Sequence, residues 1–167
     1  MKIILVTDNY TYESRGERIF NLVDFFSRQG KYEFIAFDIY KQRVNLKNLH
    51  ILKVNQNDTP TKCISYVKGI IGDERFVVIY ERYVRYIDLK CLLDFHMSHD
   101  FGISVCALDK KENRFSNSGI FVIENEYLDL IENGYEPHRE LCIYCAERND
   151  LGIFEYEKRN NIFTLCE

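Results

Sequence analysis

Residues 71–96, IGDERFVVIYERYVRYIDLKCLLDFH, carry the reading that decides the fold. Arg75 to Tyr80 is an apolar run, too short for a helix and without alternation, as expected of a strand covered on both faces. A polar and aromatic connection follows. Asp88 then caps a helix that places Leu89, Leu92, Leu93 and His96 on one side. A strand covered on both faces requires helices on both sides of its sheet.

The same alternation extends in both directions. Lys2 to Thr7 is a second continuous apolar run. Glu17 to Gln29 follows as a helix with Ile19, Leu22, Val23 and Phe26 at helical spacing and Gly30 as its stop. Tyr32–Phe37 and Leu49–Val54 read as strands. Thr59 and Pro60 open a helix as N-cap and first helical residue. Its apolar face is Ile64, Val67, Ile70 and Ile71, and Gly72 ends it.

Past His96, Gly102–Leu108 and Ser118–Ile123 read as strands around a polar turn at Asp109–Arg114. Glu124–Glu132 is a short helix stopped by Gly134, and Pro137–Arg148 a further helix. Leu151–Glu157 and Ile162–Cys166 read as strands joined by a turn at Asn160-Asn161. The expected architecture is a three-layer α/β/α sandwich around a mostly parallel, mixed central sheet. No repeat or linker divides it, so residues 1–167 are expected to form a single domain.

Composition excludes several classes. Twenty-two basic residues against 26 acidic ones give a net charge of −4, with no basic stretch to meet nucleic acid. The apolar start is too short for a signal peptide and no later run is long enough for a bilayer, so cytoplasmic placement without membrane association is expected. The six cysteines sit mostly among aliphatic residues, as buried thiols do. Phosphate-binding and serine-nucleophile loops are absent, as is the Asp-x-Asp of metal-dependent glycosyltransferases.

Three stretches carry a family resemblance. The first is Ile71-Gly72-Asp73-Glu74-Arg75-Phe76 running into Val77–Tyr80. The second is Ile87-Asp88-Leu89-Lys90 through Leu92-Leu93-Asp94-Phe95-His96. The third is Asn117-Ser118-Gly119-Ile120-Phe121-Val122-Ile123 with Tyr127–Ile131. With Leu151–Tyr156, their order and spacing resemble the sugar-phosphate nucleotidyltransferases, especially the cytidylyltransferase branch. The likeness runs from Thr59 to about Glu157. It implies a Rossmann-like sheet of the kind shared with glycosyltransferases of the GT-A type. It also implies a reaction joining a nucleoside triphosphate to a sugar 1-phosphate with release of pyrophosphate, and a place in sugar-nucleotide or polysaccharide metabolism.

That reaction brings two anions together, and needs Mg²⁺ on carboxylates, a glycine-rich phosphate loop and cationic side chains. The chain departs from the family at each of these. The first loop reads Thr7-Asp8-Asn9-Tyr10-Thr11-Tyr12-Glu13-Ser14-Arg15-Gly16, with bulky residues where phosphate must approach the backbone. Arg82 stands in the register of the metal-binding Asp after Tyr80-Glu81. The family's Glu-Lys-Pro is replaced by the short turn Asp109–Arg114. The resemblance puts its second metal Asp just beyond Glu167.

The expectation is therefore a degenerate, non-catalytic protein that keeps the fold for a nucleotide or sugar-phosphate ligand or for a protein partner. Thr7, Asp8, Arg15, Gly16 and Arg18 are the candidate nucleotide- or phosphate-binding residues. Asn117 and Gly119 are the sugar-binding candidates, against a purely packing role. Tyr80, Arg82 and Tyr83 line the cleft, facing either a ligand or each other. One alternative is an active nucleotidyltransferase with a relocated Mg²⁺ site drawn from Asp8, Glu81 and Asp88. Another is an interaction module, a homo-oligomer or a partner of an active nucleotidyltransferase. His96 with His99, and Cys142 with Cys145, have metal-like spacing but lack further ligands, and read as core.

Overall fold

The structure is a computed structural model that describes residues 1–6, 12–38, 46–55, 57–81, 87–111 and 114–156, without the side chains of 12–16, 38, 108–111 and 114–117. Seven strands form one sheet: β1 (Lys2–Val6), β2 (Glu33–Asp38), β3 (Leu49–Lys53), β4 (Phe76–Tyr80), β5 (Ile103–Lys111), β6 (Arg114–Ile123) and β7 (Leu151–Glu155). Their order across the sheet is β3-β2-β1-β4-β6-β5-β7. Only β6 runs against its neighbours, pairing antiparallel with β4 and β5; the other pairs are parallel.

The run that suggested a doubly covered strand is one. Phe76, Val77, Val78 and Ile79 are all fully buried, as are Ile3, Ile4 and Leu5 of the adjacent β1. Alternation sends these side chains into two separate cores. Phe76, Val78 and Tyr80 join Ile4 and Val6 on one face. That face is covered by α2 (Pro60–Ser65), α3 (Lys68–Ile71), α5 (Leu128–Glu132) and α6 (Cys142–Ala146). Val77 and Ile79 join Ile3 and Leu5 on the other, beneath α1 (Tyr12–Ser27) and α4 (Leu89–Met97).

Local signals set the helix boundaries. The Thr59 hydroxyl accepts the Lys62 N–H at 3.3 Å with Pro60 behind it. The Asp88 carboxylate accepts the N–H groups of Lys90 and Cys91 at 2.9 and 3.4 Å. Gly72 (φ 65°) and Gly134 (φ 93°) close their helices in the left-handed region, where a Cβ is strained.

Several boundaries differ from the sequence expectation. Helix α1 begins at Tyr12, five residues before Glu17, and ends at Ser27 rather than at Gln29. The helix after Thr59 breaks at Tyr66–Val67 into α2 and α3, which leaves Ile70 39% exposed. Asp109, Lys110, Lys111 and Arg114 are strand residues rather than a turn, because β5 and β6 run on as a ribbon past the core and need no apolar alternation there. Pro137–Leu141 is a π-helical turn preceding α6. The expected strand Ile162–Cys166 and its turn lie outside the described residues.

Candidate functional site at the switch point of the sheet

In an open parallel sheet the ligand crevice lies beyond the C-terminal ends of two adjacent strands whose following connections leave in opposite directions. Here those strands are β1 and β4. The chain passes from β1 outward to β2 and β3, and from β4 across to β6, β5 and β7. Val6 pairs with Tyr80, and the Glu81 N–H donates to the Val6 carbonyl at 2.9 Å, carrying the ladder one residue further. The connections that follow both strands contain Thr7, Asp8, Arg82 and Tyr83, which lie outside the described residues. Arg15 and Gly16 fall within α1, and their side-chain positions are likewise not described.

The end of β4 sends consecutive side chains to opposite walls. Glu81 faces α1, where its carboxylate accepts from Arg18 Nη1 at 3.1 Å. The Glu81 side chain is 4% exposed and that of Arg18 52%. The ion pair thus lets a carboxylate be buried while its arginine remains half in water. Asp88 is engaged differently, its carboxylate holding the first turn of α4. Gln29 locks the two helices together: its Nε2 donates to the Ile87 carbonyl at 2.9 Å, and its Oε1 accepts the Leu89 N–H at 2.7 Å. Of the three metal candidates, Glu81 and Asp88 therefore already have positively polarised partners, and Asp8 lies outside the described residues.

The opposite wall is aromatic. The buried Tyr80 ring meets Phe121 edge-on at 5.9 Å and His138 at 5.0 Å between centroids. Beside Tyr80 the β4–β6 pairing ends at Ile79 and Ile120. The next β6 residue, Gly119, has φ 75°, which turns the strand away from β4. Asn117 is paired with Ala107 within the β5–β6 ribbon. Gly119 and Tyr80 are thus brought to the same wall, with Asn117 two residues along the ribbon.

His138 escaped the sequence reading. It lies on the π-helical turn, where the Glu136 carbonyl accepts from both Arg139 and Leu141, at 3.0 and 3.1 Å. The extra residue in this turn breaks the 3.6-residue period, so no periodic pattern could place the imidazole over a strand end far away in sequence.

The other singled-out residues serve the core. Cys142 Sγ donates to the Pro137 carbonyl at 2.9 Å, and burial pushes its thiol up to about 12 and that of Cys145 to about 11. Both therefore stay protonated and unreactive. His96 bonds Ser104 and Glu124, whereas His99 Nδ1 lies 2.9 Å from the Phe95 carbonyl, so the two rings do not converge. Among the described residues no three metal-binding side chains come together, and no helix is long and apolar enough to cross a membrane.

The fold is similar to that of solved nucleotidyltransferases. A glucose-1-phosphate thymidylyltransferase assigned from Bacillus anthracis, solved with sucrose, superposes with a TM-score of 0.72 at 11% identity, over 93% of this chain and 86% of its own. HddC from Yersinia pseudotuberculosis superposes at 0.59 with 13% identity, over 92% and 89%. The bifunctional IspDF from Campylobacter jejuni superposes at 0.60 with 14% identity, over 93% of this chain but 49% of its own. No protein-family model matches the sequence, nor does any curated protein. The chain has a sugar-phosphate nucleotidyltransferase-like fold.

Proposed function

We propose that this chain is a non-catalytic nucleotidyltransferase-fold protein whose crevice binds a nucleotide or sugar-phosphate ligand in sugar-nucleotide or polysaccharide metabolism. The carrying observation is the ion pair between Glu81 and Arg18 at the end of β4. Phosphoryl chemistry on this fold calls for Mg²⁺ held by free carboxylates. The two described carboxylate candidates do not fit that ion. Glu81 is already neutralised by a guanidinium, Asp88 is spent on a helix end, and the sequence adds Arg82 directly after Glu81. A divalent cation at Glu81 would have to displace Arg18.

The same features suit an anion. Arg18 is half exposed next to the N-terminal part of α1, and the loop after β1 is where phosphates bind in sheets of this type. Ligand recognition without turnover needs only such fixed cations and hydrogen-bonding groups. That neighbours of the same fold include a protein named as a glucose-1-phosphate thymidylyltransferase and solved with a sugar supports this class of ligand.

Two assays test the reading. The protein is incubated with each nucleoside triphosphate, sugar 1-phosphates and Mg²⁺, with pyrophosphate release as readout; no turnover is expected, and sustained release lost in Glu81→Gln would overturn the non-catalytic assignment. Thermal unfolding is followed with nucleotides and nucleoside diphosphate sugars; stabilisation that does not depend on Mg²⁺ is expected, since a ligand bound only to the native state raises its stability. A melting temperature unmoved by every ligand would remove the binding assignment.

A further inference from the structure

Away from the crevice, Ser104, His96 and Glu124 form a hydrogen-bonded chain. His96 Nδ1 lies 2.8 Å from Ser104 Oγ, and Nε2 lies 3.1 Å from Glu124 Oε1. The same Oε1 takes the Arg75 guanidinium at 3.2 Å. Ser104 and His96 are both buried, so the serine hydroxyl is closed to any substrate and the chain is no hydrolytic site.

The neutral imidazole fits this chain and the protonated one does not. Neutral, it donates its Nε2–H to Glu124 and accepts the Ser104 hydroxyl proton at Nδ1. Protonated, it carries a hydrogen on Nδ1 as well. Ser104 Oγ must then become the acceptor and turn its own hydrogen away from the ring. Two cations would also share one carboxylate oxygen. The charged groups that face His96 are Glu124 at the end of β6, Arg75 ahead of β4 and Asp150 ahead of β7. Burial is the largest influence and disfavours the charged ring, as Arg75 does; the two acids act the other way.

The element that closes over the Ser104 hydroxyl is β7. A Cβ on Gly152 would come within 2.8 Å of Ser104 Oγ, so the β7 backbone packs directly on it. β7 has five residues and, among the described strands, one neighbour, β5. Its apolar hold is slight: Leu151 and Phe154 are partly buried, and Ile153 is 39% exposed. Its entry is tied by the Asp150 carboxylate, which accepts from the Gly102 N–H at 2.7 Å and from the Tyr127 hydroxyl. By contrast, α4 is fixed by the fully buried Leu89 and Leu92, and β6 lies between two strands. Lifting β7 is therefore the least disruptive way to bring water to the hydroxyl and the ring.

We propose that His96 is an acid-sensitive latch for strand β7: on taking a proton at Nδ1 it releases the Ser104 hydroxyl and lets β7 part from β5 while the inner strands stay paired. The step is reversible proton uptake from solvent, with no covalent bond made, and the latch needs no ligand in the crevice. In the open form the imidazole regains its ordinary value of 6.5 and takes a proton that the closed form refuses. Opening is therefore favoured as pH falls below about 6.5.

Hydrogen exchange followed by mass spectrometry from about pH 7 to about pH 5.5, corrected for the pH dependence of intrinsic amide exchange, tests the latch. The β5–β7 ladder includes the Tyr156 N–H on the Ala107 carbonyl at 2.9 Å and the Ile103 N–H on the Asp150 carbonyl at 3.3 Å. Amides of this ladder are expected to be less protected than those of Phe76–Tyr80 at every pH, and to lose protection by up to about tenfold over that range. His96→Gln should abolish the loss. His99→Gln, which removes the exposed imidazole just after α4, should keep it. Ladder amides as protected as those of β4 overturn the latch, since opening is then global. Protection that does not fall, that falls equally in His96→Gln, or that no longer falls in His99→Gln also overturns it. Should His96→Gln not fold, the wild-type and His99→Gln profiles decide on the same terms.

Discussion

Opposite ends of the sheet use acids, an arginine and a histidine to different effect. Where β5 begins and β6 finishes, His96 lies 2.8 Å from Ser104 Oγ through Nδ1 and 3.1 Å from Glu124 Oε1 through Nε2, and Arg75 reaches the same Glu124 at 3.2 Å. Glu124 accepts from the Nε2–H, which leaves Nδ1 to accept the Ser104 hydroxyl proton. The His96 side chain is 1% exposed. Every member answers another member, and Gly152 of β7 closes over Ser104. At the crevice end, the buried Glu81 carboxylate pairs with an Arg18 side chain that is 52% exposed. A polar cluster that satisfies itself contributes order and stability. One that leaves a cation half in solvent holds its charge at the surface.

The largest effect is expected at the sealed end. His96→Leu leaves the Ser104 hydroxyl buried without its partner and Glu124 short of one, which costs about 2–3 kcal/mol in urea unfolding. Binding at the crevice should be untouched. A variant as stable as wild type would break the contrast. Gly152→Ala probes the lid of the same cluster. A Cβ there would meet Phe101 Cδ2 at 2.5 Å, Ser104 Oγ at 2.8 Å and Phe95 Cε1 at 3.0 Å. Overpacking of this kind is expected to cost about 1–3 kcal/mol by the same measurement.

The crevice end should respond more weakly in stability and more strongly in binding. Glu81→Gln removes one charge of a pair whose arginine is half in solvent, so it is expected to cost about 1 kcal/mol. With the Glu81 charge removed, the crevice is less negative beside Arg18 and should hold an anionic ligand more tightly, by calorimetry. Weaker binding in this variant would instead favour a metal-binding role for Glu81.

The smallest effect is in the pH profile. Burial holds the His96 imidazole below its ordinary 6.5, outweighing the hydrogen bond and charge of Glu124, which pull it up. The unfolded chain then takes up a proton that the folded one refuses. The contribution is complete above about 6.5, is lost progressively as pH falls from there to the lower folded value, and changes no further below it. His96→Gln should flatten that segment of the stability curve; an unchanged slope would show that the cluster is not the group titrating.

Much of the scaffold was legible because its signals are local. The doubly buried run Val77–Ile79, the Thr59-Pro60 and Asp88 helix starts, and the Gly72 and Gly134 stops each depend on residues a few positions apart. The α4 face with His96 could be read from spacing alone. The early start of α1 could not, since Tyr12 to Gly16 lacks an apolar stripe. Nor could the length of the β5–β6 ribbon, whose outer residues Asp109, Lys110, Lys111 and Arg114 carry no apolar alternation. The site was harder still. Arg18 and Glu81 were both candidates in the sequence, but as a phosphate ligand and a metal ligand; their pairing depends on the β1–β4 neighbour relation. His138 gave no signal, because a π turn shifts the helical phase that would have flagged it.

The positive φ of Gly119 has a mechanical consequence. Before it, β6 has β4 on one side and β5 on the other; beyond it, Ser116, Phe115 and Arg114 pair only with Asp109, Lys110 and Lys111 among the described strands. A two-stranded ribbon is marginal by itself. It continues beyond the β4-paired part of β6 with β5 as its partner among the described strands. Its amides open at lower free energy than those of Ile120–Ile123 and exchange with solvent first. The outer ribbon and the β4-paired part of β6 are therefore expected to open as two separate units, which amide exchange resolved along β6 would show.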